Sequence, residues 1–395
     1  MSPFIMHKIK ACSRRRSARN RAGATIILGL ILMVCMLAMI AFALDIGYLC
    51  LVRTQLQRTA DAAAMAGCWE LVDEDALHGD TSRAGAITRA RRTARDYVGR
   101  NPVCNEAPTV ELNGSNRPSG DVVLGFLPNL HNLHSSMQYD QPARYNAVAV
   151  RVQRTAQKNG MVPLFFARIF GISQASLQAE ATAAMLWDIG GLETPPTGDN
   201  IPLLPFALDL ETWLAWEDGQ AADNWRWDVT TRKVTAKPDE IGEFNLYPQD
   251  TGSAANRGTV NIGIDANSTS HVSRQILDGV SQADFDYHGG KLEFDANGEL
   301  LLSGDPGISA GFKDELAQIS GQRRIIPIFS EVHGPGDNAL YTIVKFIGVR
   351  IMDVDLTSGS RHLIVQPVHV EVDGAIPSNN PSTSRFLFAP VRLVR

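Results

Sequence analysis

The sequence predicts an α+β protein in successive parts: an N-terminal transmembrane helix that continues into a helical stalk, a small β-rich domain, and a larger mixed α+β C-terminal domain. Three observations lead there. A basic tail precedes an uncharged, mostly apolar run at residues 24–44. Beyond that run, good helix formers persist without proline to about residue 72. After Asn101-Pro102 the apolar spacing changes from three or four residues to two.

The anchor comes first. Lys8, Lys10, Arg14, Arg15, Arg16, Arg19 and Arg21 all precede the first acidic residue, Asp45. At about 1.5 Å per residue the run spans roughly the 30 Å hydrocarbon core of a bilayer. Lys and Arg on its N-terminal flank hold that end in the cytoplasm, so residues 1–23 form a cytoplasmic tail and the rest is exported. The basic cluster and Asp45 thus bracket a single-pass anchor in membrane lipid. The alternative is a cleavable signal peptide, for which Ala41-Phe42-Ala43 offers a cleavage pattern. An apolar signal core is usually about 7–15 residues, shorter than this run, and either reading exports the bulk of the chain.

The stalk occupies residues 45–100. Leu49, Val52, Leu56, Ala60, Ala63 and Gly67 recur at steps of three or four and form an apolar stripe that narrows to small side chains. Leu56, Ala60, Ala63 and Gly67 are the candidate helix-packing face, against either a partner helix or the following domain of the same chain. A second helix at 83–99 stops at Asn101-Pro102.

The small domain covers residues 101–189. Alternating patterns predict strands at 109–112, 121–127, 145–152 and 177–185, and a short apolar helix at 162–170 opened by Pro163 and closed by Gly171. Residues 190–200 are rich in Gly and Pro and read as a linker. The C-terminal domain, 201–395, is expected to carry helices near 272–279 and 310–319. Strands are expected at 260–264, 325–330, 341–354, 362–371 and 386–394. Asn297-Gly298 predicts a hairpin turn between 292–294 and 300–302.

Composition narrows the function. A net charge of -5 with pI near 6.0 gives no basic surface for nucleic acid. If one helix carries both Cys50 and Cys68, they lie about 27 Å apart, beyond disulfide reach, which leaves Cys68 with Cys104 or an intermolecular bond.

The segments Arg14-Arg15-Arg16, Arg21-Ala22-Gly23-Ala24, Ala43-Leu44-Asp45-Ile46-Gly47-Tyr48 and the run from Leu56-Gln57 through Ala60-Asp61-Ala62-Ala63-Ala64 to Gly67 form a recognisable combination. It resembles the TadG-like proteins of the Flp (tight adherence) pilus-assembly system, most closely over residues 14–70. Weaker similarity continues at 163–171 and 179–184, where the family's small pilin-like domain ends. The resemblance implies an envelope component in the cytoplasmic (inner) membrane that acts through contacts with other pilus-assembly proteins or by self-association. Two departures limit it. Leu28 stands where a prepilin-peptidase substrate has Glu five residues after the cleavage Gly, here Gly23. Asp265-Ala266-Asn267-Ser268-Thr269 lacks the serines of a von Willebrand factor A metal site.

Catalytic, metal and cofactor motifs give little. His131 and His134 lack a His-Glu-x-x-His context. Asp295-Ala296-Asn297-Gly298-Glu299 starts like a calcium loop, but Pro306 falls where the bidentate Glu belongs. The glycine-rich 304–311 segment has no P-loop Lys, and Ser309 reads as a helix cap. Trp213 and Trp216, with Trp225 and Trp227, are the aromatic group that could stack on a ligand, although burial in the C-terminal core is the favoured reading. The sequence therefore favours a non-enzymatic assembly component with no cofactor. An envelope binding protein or adhesin using the Trp-rich segment is the alternative, and an enzyme with an unrecognised site is third.

Overall fold

A computed structural model describes residues 22–72, 77, 83–130, 135–247, 257–263, 268–306, 308–334, 339–357, 361–378, 380 and 382–394. It is α+β. Helix α1, Ala22–Trp69, is continuous through span and stalk, 48 residues without a break. Helix α2, Ala84–Arg100, follows. Strands β1 (Val122–Gly125), β2 (Ala147–Arg154), β3 (Val162–Pro163), β4 (Gln174–Ala175) and β5 (Leu177–Ala184) complete the first module.

The outer half of α1 lies across the antiparallel sheet β1-β2-β5, with α2 beside it. Their shared core joins Val52, Leu56, Ala60 and Ala63 of α1, Ala90, Ala94 and Val98 of α2, and Val148, Val150, Ala181 and Ala183 of the strands. Alternation puts every second strand residue under the helix, as the period-two pattern requires.

Residues 109–112 were expected as a strand and are not one. Arg91 of α2, almost fully buried, donates to the carbonyls of Leu112, Asn113 and Val122 and to Asn116 Oδ1. Asp121 accepts the Glu111 amide. These side chains take the backbone groups that a strand would pair with a neighbour.

The second module begins with β6, Ile189–Glu193. Then come β7 (Phe206–Asp209), α3 (Leu210–Glu217), β8 (Arg226–Asp228), β9 (Lys233–Thr235), β10 (Phe244–Asn245) and β11 (Arg257–Val260). Helices α4 (Thr269–Asp278) and α5 (Gln282–Tyr287) precede β12 (Lys291–Glu293), β13 (Leu300–Pro306) and α6 (Lys313–Gln318). The long pair β14 (Arg323–His333) and β15 (Ala339–Asp355) follows, then β16 (His362–Pro367), β17 (Val370–Glu371) and β18 (Ala375–Pro377). Strands β19 (Ser384–Arg385), β20 (Leu387–Phe388) and β21 (Arg392–Leu393) end the chain.

Five of these strands close into a small barrel. β7, β11, β13 and β15 are successive antiparallel neighbours, and β14 pairs antiparallel with β15 and parallel with β7. Alternate residues of one strand enter different cores: Phe206 and Leu208 pack with Trp213 and Ile328, Ala207 with Val260 and Tyr341. Tyr341 crosses so close to Gly258 that a Cβ there would collide with its ring and hydroxyl.

Three expectations are corrected here. Residues 190–193 belong to β6, which pairs with β12 and β18, so this part of the expected linker is sheet. The turn at Asp295 forms, with the Gly298 amide donating to the Asp295 carbonyl and Gly298 at φ 81°. Its flanking strands do not pair as a hairpin, because β12 joins β6 while β13 joins β11 and β15. Finally, β21, from the expected C-terminal domain, returns to pair with β5 and so joins the sheet of the first module.

Candidate functional site at the end of the apolar helix

The inner half of α1 is apolar on every side. From Ile26 to Leu44 its large side chains are exposed all round, with no stripe against the rest of the chain. Among the described residues it is the helix long and apolar enough to cross a membrane by length and composition. Arg14, Arg15, Arg16, Arg19 and Arg21 lie outside the described residues.

Asp45 ends this exposed stretch and is itself buried, 3% exposed. Its carboxylate accepts the backbone N–H groups of Phe165 at 2.9 Å, Phe166 at 3.0 Å and Ala167 at 2.7 Å. Those amides open the 3-10 turn Ala167–Phe170 and would otherwise lack partners. An anion fits there, because the open N–H groups carry partial positive charge.

The segment between β3 and β4 was expected to be a helix at 162–170. It is instead a two-stranded ladder tipped by the 3-10 turn, because the Leu164 amide bonds the Ser173 carbonyl and Asp45 takes the next three amides. Gly171 closes the turn at φ 82°, as the sequence suggested. Two ring contacts pin the tip to α1: Phe42 stacks on Phe170 at 5.4 Å, and Tyr48 meets Phe165 edge-on at 5.3 Å. Gly47 has open space around it, and nothing in the structure explains it.

The predicted packing face lies within the chain's own core. Leu56, Ala60 and Ala63 are fully buried in the shared core, and a Cβ on Gly67 would press on the Ala90 carbonyl and the Ala94 methyl, each at 3.0 Å. The small-residue stripe meets a matching stripe on α2 together with the sheet. Of the two alternatives for this face, the geometry matches packing within the same chain, and no side chain of this face remains open.

Of the two pairings the sequence left open, the bond between Cys68 and Cys104 is not formed, since both thiols are free. Cys68 is buried with its Sγ 3.6 Å from the Asn146 carbonyl, and burial pushes the thiol far above its ordinary range. Cys104 Sγ lies 3.3 Å from Gln55 Oε1 instead.

Trp213 and Trp216 do not form an open stacking surface. Trp213 is fully buried and stacks on Trp216 at 5.0 Å, with Phe244 and Phe386 edge-on. Trp216 donates its indole N–H to the Gly242 carbonyl. Trp227 lies under the Arg350 guanidinium at 4.2 Å. Trp213 and Trp216 pack on the core beside α3, while Trp225 and Trp227 are half-buried outside it.

His131, His134, residues 265–267 and Gly307 lie outside the described residues. Ser309 caps as expected, accepting the Gly311 amide. Two polar clusters were invisible in sequence because their members are far apart along the chain. Asp223, Asp239 and Glu243 bring carboxylates within 4.8 Å of one another. They accept loop amides, Asp223 those of Asp239 and Glu240, and Glu243 those of Asn224 and Trp225. Burial, helped by its two acidic neighbours, holds the Glu243 carboxyl above the usual range despite those bonds. Asp284 sits at the base of an open cleft lined by Asp199, His271, Arg274 and Ser281. It accepts from Arg274 at 2.7 Å and from Ser281, completing the capping box of α5. Burial works against its charge, but these bonds outweigh it and hold the carboxyl below its usual range.

Comparison with known families agrees with the sequence motifs. Residues 23–78 match the family described as "Putative Flp pilus-assembly TadE/G-like", and residues 61–183 match "Putative Tad-like Flp pilus-assembly". No curated protein and no solved structure matches the chain. The two matched segments contain the apolar helix, Asp45, the packed stripe and the β3–β4 hairpin. Through residues 23–183, which carry these features and both family matches, the chain is similar to Tad-type Flp pilus-assembly proteins.

Proposed function

We propose that this chain is a membrane-anchored envelope component of Flp pilus assembly, acting by protein contacts and not by catalysis. The observation that carries this reading is the family match over residues 23–183, coincident with a helix that is apolar on all sides up to Asp45. Residues 24–44 cross the cytoplasmic membrane once. Arg14, Arg15, Arg16, Arg19 and Arg21 hold the N-terminus in the cytoplasm, and the bulk of the chain faces the periplasm or exterior. The matched families are pilus-assembly components and not known enzymes.

Partners on this reading are membrane lipid together with other pilus-assembly proteins or further copies of the chain. Nucleic acid is not among them, given the net charge of -5. Because the stripe at Leu56, Ala60 and Ala63 is closed off by α2 and the sheet, partner contacts use other surfaces of the exported modules.

The test is deletion of the gene in its native host, with pili counted by electron microscopy and surface attachment measured. Loss of pili, restored by the wild-type chain but not by one lacking residues 24–44, supports the reading. Unchanged piliation after deletion overturns it.

A further inference from the structure

The β3–β4 hairpin carries an apolar tip for which the protein interior provides no cover. Phe165, Phe166, Ile169, Phe170 and Ile172 fall within eight residues, and all are exposed, Ile169 by 80% and Phe170 by 61%. Arg168 is the only charged side chain between Lys158 and Glu180. Elsewhere on the first module, exposed large apolar residues such as Tyr97, Tyr139 and Leu393 are scattered along the chain, as single exposed residues commonly are. A contiguous apolar tip on an exported domain marks an interaction surface.

Its position names the occupant. Phe170 stacks on Phe42, which lies one turn inside Asp45 on the apolar span, and Phe165 meets Tyr48, one turn outside. At about 1.5 Å per residue, Phe42 and Tyr48 are about 9 Å apart along α1. The tip therefore straddles the level at which the span ends, and Ile169 and Phe170 share the depth of the last apolar turn. The exposed Phe42, Leu44 and Ile46 continue the same apolar surface on α1. Asp45 locks the level by holding three tip amides.

We infer that the β3–β4 hairpin inserts its tip into the lipid bilayer beside α1, as a second membrane contact of the exported domain. The aromatic and aliphatic side chains enter the boundary between headgroups and acyl chains, about 5–10 Å deep, as interfacial elements do. Arg168 reaches back to the headgroups. One helix crossing a bilayer leaves its tilt and rotation loosely set, and a second contact on one side of it fixes both. The exported modules are thereby held in one orientation over the membrane. This inference rests on the anchor reading proposed above.

The test uses the full chain with Cys12, Cys35, Cys50 and Cys104 replaced by Ser or Ala, while buried Cys68 is kept. Single nitroxide labels are placed at Ile169→Cys, with Ile172→Cys as a second tip position, at Met36→Cys in the span, and at exposed Val229→Cys in the second module. The protein is reconstituted in phosphatidylethanolamine–phosphatidylglycerol vesicles. Accessibility to oxygen, which concentrates in lipid, is compared with accessibility to a water-soluble nickel chelate. The expected result is an oxygen-to-nickel ratio at both tip positions well above that at Val229 and approaching that at Met36. Lipid values at Met36 with water values at the tip overturn the hairpin contact and leave the anchor standing. Water values at Met36 and at the tip overturn both readings. Low accessibility of the tip to both reagents shows it covered by protein and overturns the lipid assignment.

Discussion

The two halves of α1 are one helix with opposite surroundings. Inside Asp45 its large apolar side chains point outward on every side and touch almost nothing of the chain. Outside Asp45, one stripe from Val52 to Cys68 is buried against α2 and a sheet, while Arg53, Arg58 and Trp69 stay exposed. Helix propensity does not distinguish them. What differs is the number of faces carrying apolar groups: a stripe needs a protein partner, whereas a helix apolar all round needs a non-aqueous solvent. The hairpin tip at the junction belongs to the inner half by its chemistry and to the outer half by its chain connections.

The largest expected break in this contrast comes from a charge in the inner half. Leu32→Arg places a guanidinium mid-span, which costs about 2.5–3.5 kcal/mol in apparent insertion free energy. The membrane fraction after carbonate extraction falls accordingly, while the two folded modules keep their fold by circular dichroism.

Next in size is overpacking of the outer half. Ala63→Leu adds volume where the side chain is fully buried between α2 and the sheet, and such changes cost about 1–3 kcal/mol. Denaturant unfolding of the folded modules shifts to a lower midpoint. Leu32→Ala, with the same difference in size but on the exposed half, leaves that midpoint unchanged. Equal shifts from the two would end the distinction.

At the junction, Asp45→Ala removes the acceptor of three amides without changing either half. Hydrogen exchange at Phe165, Phe166 and Ala167 accelerates, and exchange in β2 and β5 stays as it was.

The last effect appears only in acid. Near the far end of α1, Trp69 meets Phe388, whose ring lies 6.4 Å from that of His369. Burial, with nearby Arg385, Arg323 and Arg83 adding to it, lowers the His369 pKa to about 3. The folded state therefore resists a proton that the unfolded chain accepts near its ordinary 6.5. Stability is level above 6.5, declines as pH falls from there, and the loss is complete below about 3. His369→Gln flattens that part of the pH profile, while oxygen accessibility at Met36 in the span does not change across it.

Much of this was legible in sequence because its cause is local. The span, the continuous helix, the end of α2 at Asn101, and strands β2 and β5 follow from apolar periodicity and from proline and glycine positions. Ser309 and Gly171 also did what their residue types do at helix ends. The failures share a different cause. Residues 109–112 alternate like a strand, but Arg91 and Asp121, from separate parts of the chain, take their backbone groups. For the tryptophans, spacing favoured core burial over a ligand platform but did not say which side of α3 the barrel covers.

The sequence by itself determined the apolar span, the basic flank, the small-residue stripe and the family motifs, since each depends on residues near one another in the chain. Only the tertiary structure decided that the stripe meets α2, that Asp45 caps a turn 120 residues away, and that β21 returns to β5. A side chain's type limits which partners it can take, but distance in space selects among them. That distance is set by the packing of the whole chain, which no local pattern encodes.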